Sequence, residues 1–137
     1  MKIVPFDMSR YESAYSLWAQ TPGIGLSSSD SREEIALLLK RNPGLSFIAL
    51  HGEEVAGTIL CGHDGRRGYF YHLCVSPAFR HQGIATALTD KSLEGLRISG
   101  IKKCHLFVLK DNSAGYAFWA HSTWQERTDL TVFSLEP

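Results

Sequence analysis

The stretch that decides the fold lies in the middle of the chain and reads Leu73-Cys74-Val75-Ser76-Pro77-Ala78-Phe79-Arg80-His81-Gln82-Gly83-Ile84-Ala85. Its first residues complete an apolar run that is typical of a buried strand, and the Ser-Pro pair ends that run. From about residue 83 to residue 99, apolar side chains recur at helical spacing and charged ones fill the opposite side of the wheel. The stretch therefore predicts a strand, a tight turn and an amphipathic helix that crosses over to a further strand at 104–109.

The start of this helix has the features of an anion-binding site. The first amide N–H groups of a helix have no intrahelical partner, and the helix dipole places a partial positive charge there. Gly83 would let an anion approach the backbone closely, and Arg80 adds a full positive charge. The pattern favours a pyrophosphate cradle that lacks the lysine of a P-loop, with a strand-to-helix turn that binds nothing as the alternative.

The rest of the chain predicts one mixed α/β domain that covers residues 1–137. Strands are predicted at 2–6, 45–50, 55–61, 69–75, 104–109 and 130–135. Helices are predicted at about 9–19, between Asp30 and Asn42, at 83–99 and at 113–121. Asp30 with Glu33 has the spacing of a helix N-cap pair. The resulting order is β-α-α-β-β-β-α-β-α-β, with helices on both faces of a mixed central sheet.

Charge and hydropathy exclude several classes of partner. Lys plus Arg and Asp plus Glu number 14 each, the formal net charge is zero, and neither half of the chain carries a basic run. We expect no nucleic-acid partner, because proteins that track phosphates need a concentrated positive field. No run of roughly 18 or more apolar residues occurs and the first residues do not resemble a signal peptide, so we expect no membrane partner and a cytoplasmic location.

Three cysteines, Cys61, Cys74 and Cys104, lie in apolar, strand-like runs. Their odd number and wide spacing match neither a disulfide framework nor a metal site. Since free cysteine is among the most buried residue types, we expect buried, reduced thiols and no bound metal.

Two motifs and the element order together carry a resemblance to a known family. The pattern Arg80-x-x-Gly83-x-Ala85, placed after a Leu-x-Val-x-Pro strand, resembles the coenzyme A loop of the GNAT acetyltransferases. Asn112, after the next strand and ahead of an aromatic helix, matches the second recurrent position of that family. The chain is also similar to small bacterial members in the hairpin Gly62-His63-Asp64-Gly65-Arg66-Arg67-Gly68-Tyr69. The resemblance extends over nearly the whole chain.

The resemblance implies an N-acetyltransferase that binds acetyl-CoA where the strand ending at residue 75 and the strand 104–109 splay apart. Main-chain groups of Leu73, Cys74 and Val75 would pair with the pantetheine arm as an added strand would. The implied pyrophosphate contacts are the amides of Arg80, His81, Gln82, Gly83, Ile84 and Ala85. Asn112 would bind the pantetheine or phosphate end, and a primary amine would attack the thioester directly.

The family pattern is altered where a general acid and a general base are expected. Trp119 occupies the place of the usual tyrosine, and its indole is too weak an acid to protonate a thiolate. Tyr116, one turn earlier, is the candidate replacement, and the alternatives are that Tyr116 is a purely structural aromatic or that the thiolate leaves unprotonated. Phe107 stands where some relatives have a glutamate base, and His72 stands where others have one, just before the Leu-x-Val run. The resemblance therefore makes His72 the candidate base, unless His72 only packs or hydrogen-bonds. In another possible mechanism, Cys74 attacks the thioester as a nucleophile. The sequence around Cys74 shows no electropositive setting that would favour the thiolate, which argues against this mechanism.

The acceptor side is predicted from fewer signals. Trp18 and the 21–30 loop would form one wall, and Tyr71 would line the site. Arg66 or Arg67 would meet a carboxylate-bearing acceptor, unless both belong to a solvated turn. The apolar, glycine-rich loop and the short chain favour a small-molecule primary amine as the acceptor. A protein or peptide acetyltransferase and a catalytically weak acetyl-CoA-binding regulatory module stay open as alternatives, and so does a homodimer.

Overall fold

The strand that ends at Val75 lies inside a five-stranded sheet in the computed structural model, which describes residues 1–137. The strands, in their order across the sheet, are β1 (Lys2–Pro5), β2 (Phe47–His51), β3 (Glu54–His63), β4 (Gly68–Val75) and β5 (Cys104–Leu106). The pairs β1–β2, β2–β3 and β3–β4 are antiparallel, whereas β4 and β5 are parallel. A parallel pair requires a crossover connection, and the amphipathic helix after Gly83 supplies it, as predicted.

Four helices complete the regular structure. They are α1 (Tyr11–Ala19), α2 (Arg32–Arg41), α3 (Ile84–Ile98) and α4 (Ser113–Ala120), and short 3-10 turns occur at Met8–Arg10, Ser28–Asp30 and Pro77–Phe79. Two consecutive residues of β3 show that α1 and α3 lie on opposite faces of the sheet. Thr58 bonds to Trp18 of α1, while Gly57 lies under Leu88 of α3. The predicted mixed sheet with helices on both faces is confirmed.

A cluster of buried side chains joins the sheet to α1 and α2. Its members are Phe6, Tyr11, Ala14, Trp18, Ile35, Ile48, Leu50, Val55, Leu60 and Cys74. Trp18 has no exposed surface, and its indole N–H donates to Thr58 Oγ1 at 2.9 Å, so the one polar atom of this buried ring is satisfied. This core fixes the positions of α1 and α2 on the sheet face that carries the candidate site.

The chain divides into two compact units, Met1–Phe107 and Val108–Pro137. The first unit contains the whole sheet and helices α1, α2 and α3, and the second contains α4. No helix in the structure has both the length and the apolar character needed to cross a membrane.

Two predicted strands differ from the structure. β5 ends at Leu106 and is therefore shorter than predicted, and the predicted closing strand at 130–135 is not formed. Apolar residues in the 130–135 segment are typical of a strand, yet Leu130, Val132 and Leu135 are exposed and Phe133 is 92% exposed. A strand is stabilised by hydrogen bonds to a neighbouring strand, and no strand pairs with this segment. The sheet therefore ends at β5.

Candidate active site

A β-bulge in β4 shapes the site at His72. The register between β3 and β4 shifts here, so that two residues of β4, His72 and Leu73, stand opposite one residue of β3. His72 adopts a left-handed backbone conformation with a φ of 49°, and the Thr58 hydroxyl donates to its carbonyl oxygen at 2.8 Å. Consecutive side chains of a regular strand point to opposite faces, whereas Tyr71 and His72 both line one pocket.

The side chain of His72 pairs with Asp30, which lies 42 positions earlier in the chain. His72 Nε2 and Asp30 Oδ1 are 2.6 Å apart, and the two side chains are only 12% and 7% exposed. A hydrogen bond to a carboxylate that is shielded from water in this way is stronger than an exposed one. We call this pair the dyad.

Two further contacts hold Asp30 in place. The Ser27 amide donates to its Oδ2 at 3.0 Å, and the Tyr11 hydroxyl donates to its backbone carbonyl at 2.6 Å. The prediction that Asp30 caps α2 was therefore wrong. Ser31 is the N-cap instead, because its hydroxyl accepts from the Glu34 amide at 3.2 Å, while both carboxylate oxygens of Asp30 are already occupied.

The dyad leaves one nitrogen of His72 available for proton transfer. With Asp30 ionised and His72 neutral, the shared hydrogen lies on Nε2, because a carboxylate only accepts hydrogen bonds, and Nδ1 then keeps its lone pair. The imidazole also packs against Trp18, with ring centroids 4.7 Å apart, which limits its rotation. His72 can therefore accept a proton at Nδ1 while Asp30 stabilises the imidazolium that forms.

The dyad lies in the wall of a pocket of about 850 Å³. The pocket is bounded by the 25–30 loop, by α2 and by the sheet residues Leu60, Tyr71 and His72. A pocket of this size can hold a small organic molecule. Tyr71 lines the pocket, and its contact with an acceptor stays a prediction.

The residues predicted for the acceptor side do not all line this pocket. Trp18 is absent from its wall, has no exposed surface, and packs against the His72 ring. Arg66 and Arg67 do not line the pocket. They lie in the exposed turn between β3 and β4, where both of their amides donate to Asp64 Oδ1 at 2.8 Å, as expected of a solvated turn.

On its other edge, β4 pairs with β5 only over its first three residues. The parallel ladder runs only from Gly68 with Cys104 to Phe70 with Leu106. The β4 edge over residues 71–75 therefore has no partner in β5, and this is the edge predicted to pair with the pantetheine arm. Main-chain groups at such an edge can accept an added extended segment.

The start of α3, which follows this edge, carries free backbone donors. Gly83 is the N-cap, has a φ of 78°, and has open space where a Cβ would be. No side chain caps the first turn of α3, and that turn contains no acidic residue. Arg80 Nε donates to the Val75 carbonyl at 3.1 Å, and His81 and Gln82 are exposed between Arg80 and the helix. This donor set fits a phosphate-bearing ligand.

Two predicted site residues belong to the 108–137 unit. Asn112 is the N-cap of α4, and its side-chain oxygen accepts from the Gly115 amide at 2.9 Å. The Tyr116 hydroxyl donates to Glu126 Oε1 at 2.6 Å, and this hydrogen bond raises the pKa of Tyr116. A raised pKa makes Tyr116 a weaker acid. The roles of Asn112 toward acetyl-CoA and of Tyr116 as a general acid stay predictions.

The three cysteines are unpaired, with Cys61 and Cys74 buried and Cys104 half-buried. Burial raises the pKa of Cys61 and of Cys104 to about 12, and it also raises the pKa of Cys74. The Cys74 thiol donates to Thr21 Oγ1 at 3.2 Å. A protonated, buried thiol is a poor nucleophile, which argues against a covalent route through Cys74. No group of three or more His, Cys, Asp or Glu side chains is arranged to hold a metal ion.

Sequence reasoning missed Asp30 as the partner of His72 and missed the bulge that Thr58 stabilises. Ser27-x-x-Asp30 has the spacing of a capping box, so the sequence carries a signal for the local turn. No signal in the sequence links Asp30 to His72, because their contact depends on how the 21–30 loop packs on the sheet.

Comparisons with known proteins accord with this geometry. The acetyltransferase (GNAT) family matches residues 11–122. An acetyltransferase of Photorhabdus laumondii subsp. laumondii is 36% identical over 136 residues, which cover 96% of this chain and 92% of the relative.

Two solved structures extend the comparison. The aminoglycoside 6'-N-acetyltransferase AAC(6')-IG of Acinetobacter haemolyticus superposes with a TM-score of 0.79 at 18% identity, covering 100% of this chain and 99% of the other. The NatC complex bound to Gag peptide and CoA gives a TM-score of 0.69 at 23% identity, covering 88% and 82%. At these identities the likeness shows the fold alone.

Proposed function

The chain belongs to the acetyltransferase (GNAT) family, and on that premise we propose that it transfers the acetyl group of acetyl-CoA to the primary amine of a small molecule. The observation that carries the proposal is the shielded His72–Asp30 dyad in the wall of the pocket. An amine must be neutral to attack a thioester, and the dyad supplies a base on the acceptor side.

The residues proposed to hold acetyl-CoA lie along the β4 edge and at the start of α3. Main-chain groups of Leu73, Cys74 and Val75 would pair with the pantetheine arm, and the amides from Arg80 to Ala85 would bind the pyrophosphate. The unpartnered edge and the uncapped first turn support this assignment. Asn112 is proposed as a further contact.

In the proposed reaction, His72 Nδ1 takes a proton from the ammonium group of the acceptor, directly or through water. The amine nitrogen then forms a bond to the acetyl carbon, and the carbon–sulfur bond breaks so that coenzyme A leaves as a thiolate. The amine loses two protons in all, one to His72 and one to solvent. Tyr116 is proposed to donate its own proton to the thiolate and to regain one from solvent. Tyr116→Phe should then lower kcat, and an unchanged kcat would remove Tyr116 from this role.

The size of the pocket supports a small acceptor. The 25–30 loop and α2 bound a volume of about 850 Å³, which is in the range of small-molecule sites. The loop carries no acidic run that would attract a basic peptide.

The test is acetyl-CoA turnover by the full chain with a panel of primary amines and peptides, read as free thiol released. We expect turnover with at least one small amine and none with peptide N-termini or peptide lysines. Turnover confined to peptides would replace the small-molecule acceptor with a peptide. Tight binding of acetyl-CoA without turnover of any amine would support a regulatory module and contradict the proposed reaction.

We also propose that residues 1–137 act as one domain in the cytoplasm. The unpaired thiols support this location, because oxidising compartments favour disulfides. Thiol titration of protein purified without reductant should find all three cysteines reduced, and a disulfide would contradict the assignment.

A further inference from the structure

Three charged side chains of α2 line the acceptor pocket and make no ion pair with the protein. Glu34 lies in the first turn of α2, and Lys40 and Arg41 lie in the last turn. All three are exposed, and the ion pairs of the structure join other residues. Charges without a protein partner at the wall of a pocket are available to a ligand.

These charges are separated by sign along the pocket. An α-helix rises 1.5 Å per residue, so Glu34 and Arg41 are about 10 Å apart along the axis. The dyad belongs to the acidic end, because Asp30 lies just before α2 begins. At the basic end, Asn42 Oδ1 accepts from the His63 amide at 3.0 Å, so this end lies where β3 ends.

An acidic first turn and a basic last turn also stabilise a helix through its dipole. That explanation applies equally to Glu33, which is exposed in the same first turn but does not line the pocket. The dipole accounts for charges at the two ends of α2, but it does not account for Glu34, Lys40 and Arg41 lining one cavity.

We propose that the acceptor is an elongated amine that carries a carboxylate or another anionic group at its far end. This inference rests on the proposed function and narrows its substrate class. The ammonium group of such a molecule is attracted to Glu34 and the dyad, and its anionic end is attracted to Lys40 and Arg41. A polyamine is disfavoured because its second cation would meet the two basic side chains.

The test compares three linear amines of equal chain length that differ only at the far end, namely aminooctanoate, octylamine and diaminooctane. Their affinities for the full chain are measured by isothermal titration calorimetry with coenzyme A present, so that no turnover occurs. From the usual strength of exposed ion pairs, we expect aminooctanoate to bind about fivefold more tightly than octylamine, and diaminooctane to bind most weakly. Added salt should reduce these differences.

Charge variants of α2 make the test specific. Lys40→Glu/Arg41→Glu should reverse the order, so that diaminooctane binds most tightly. The neutral variant Lys40→Gln/Arg41→Gln perturbs the helix less and should abolish the preference. Lys102→Glu/Lys103→Glu changes the net charge equally at exposed positions outside the pocket and should keep the wild-type order.

Three results would overturn the inference. They are equal affinity for the three probes, no binding of any probe, and a preference that is lost in Arg66→Glu/Arg67→Glu but kept in the α2 variants. The proposed function is tested by a separate measurement, the release of free thiol from acetyl-CoA. It would be contradicted if no amine gave thiol release. An anionic preference without thiol release therefore keeps the charge selectivity of the pocket and removes the reaction, whereas thiol release without that preference keeps the reaction and removes this inference.

Discussion

The two halves of the candidate site are built in different ways. The half proposed for acetyl-CoA uses the contiguous backbone of residues 73–85, which form the end of β4, a loop and the first turn of α3. The acceptor half joins side chains that are remote in sequence, among them the dyad residues, 42 positions apart, and the charges of α2. The first half offers main-chain donors, whereas the second depends on side-chain identity.

This difference separates the binding of acetyl-CoA, which uses the backbone, from the selection of the amine, which uses side chains. Amides at an uncapped helix start attract phosphate whatever the neighbouring side chains are. The volume, charge and base of the acceptor pocket come from side chains of the 25–30 loop, of α2 and of His72, which can change without altering the backbone of the other half. Single substitutions should therefore affect either the KM for acetyl-CoA or the chemistry on the amine, and seldom both.

The largest effect is expected from His72→Asn. Asparagine tolerates the left-handed backbone of this position, so the bulge is kept while the base is lost. We expect kcat to fall about a hundredfold, with the KM for acetyl-CoA unchanged. Thiol-release kinetics measure both constants, and His51→Gln, at an exposed histidine outside the pocket, is the control. An unchanged kcat in His72→Asn would remove this residue from the mechanism.

A smaller loss is expected from Asp30→Asn. The new amide can donate to Nε2, which favours the tautomer with its hydrogen on Nδ1 and removes the proton acceptor. We expect kcat to fall about tenfold, because the imidazole itself remains. Glu33→Gln removes an exposed carboxylate outside the pocket and is the control. If both variants lost the same activity, the effect would belong to the stability of α2, which thermal unfolding would reveal.

The coenzyme half can be tested with two matched glycines that flank α3. Gly83 and Gly100 have φ values of 78° and 80°, and both have open space where a Cβ would be. Alanine at either position should cost about 1 kcal/mol of unfolding free energy, because L-residues are strained in this region. Only Gly83→Ala should raise the KM for acetyl-CoA, by about fivefold, since the methyl group obstructs an anion at the amides. Equal KM values in the two variants would contradict the assigned coenzyme loop.

The smallest effect concerns Cys74, whose backbone belongs to the coenzyme half and whose thiol donates to Thr21 Oγ1 outside that half. Burial raises the pKa of this thiol, so it stays protonated at neutral pH. We expect intact-protein mass spectrometry after incubation with acetyl-CoA alone to show no acetyl adduct. An adduct that disappears in Cys74→Ala would establish a covalent route in place of direct attack.

The sequence predicted those parts of the molecule whose signals are local. Helical periodicity after Gly83 and the apolar runs predicted five strands and four helices close to their observed positions. The uncapped helix start is local in the same sense, because it follows from a glycine and from the absence of a capping side chain next to it. Both features can therefore be read without knowing what packs against them.

The acceptor half could not be predicted because it depends on long-range contacts. Asp30 and Ser31 are both good N-caps, and only the contact with His72 shows that Asp30 has another role. The bulge depends on the register between β3 and β4, which no local pattern encodes. The 130–135 segment shows the opposite case, in which strand-like alternation exists without a strand to pair with.

The most direct test of the account is the pH dependence of kcat/KM for an amine acceptor in the wild-type chain and in His72→Asn. A general base acts only when deprotonated, so its removal changes the pH profile. We expect the wild-type profile to contain a rise with pH that His72→Asn lacks, so that the variant keeps only the increase caused by ionisation of the acceptor amine. A variant whose profile matches that of the wild type would contradict the claim that the dyad accepts the proton.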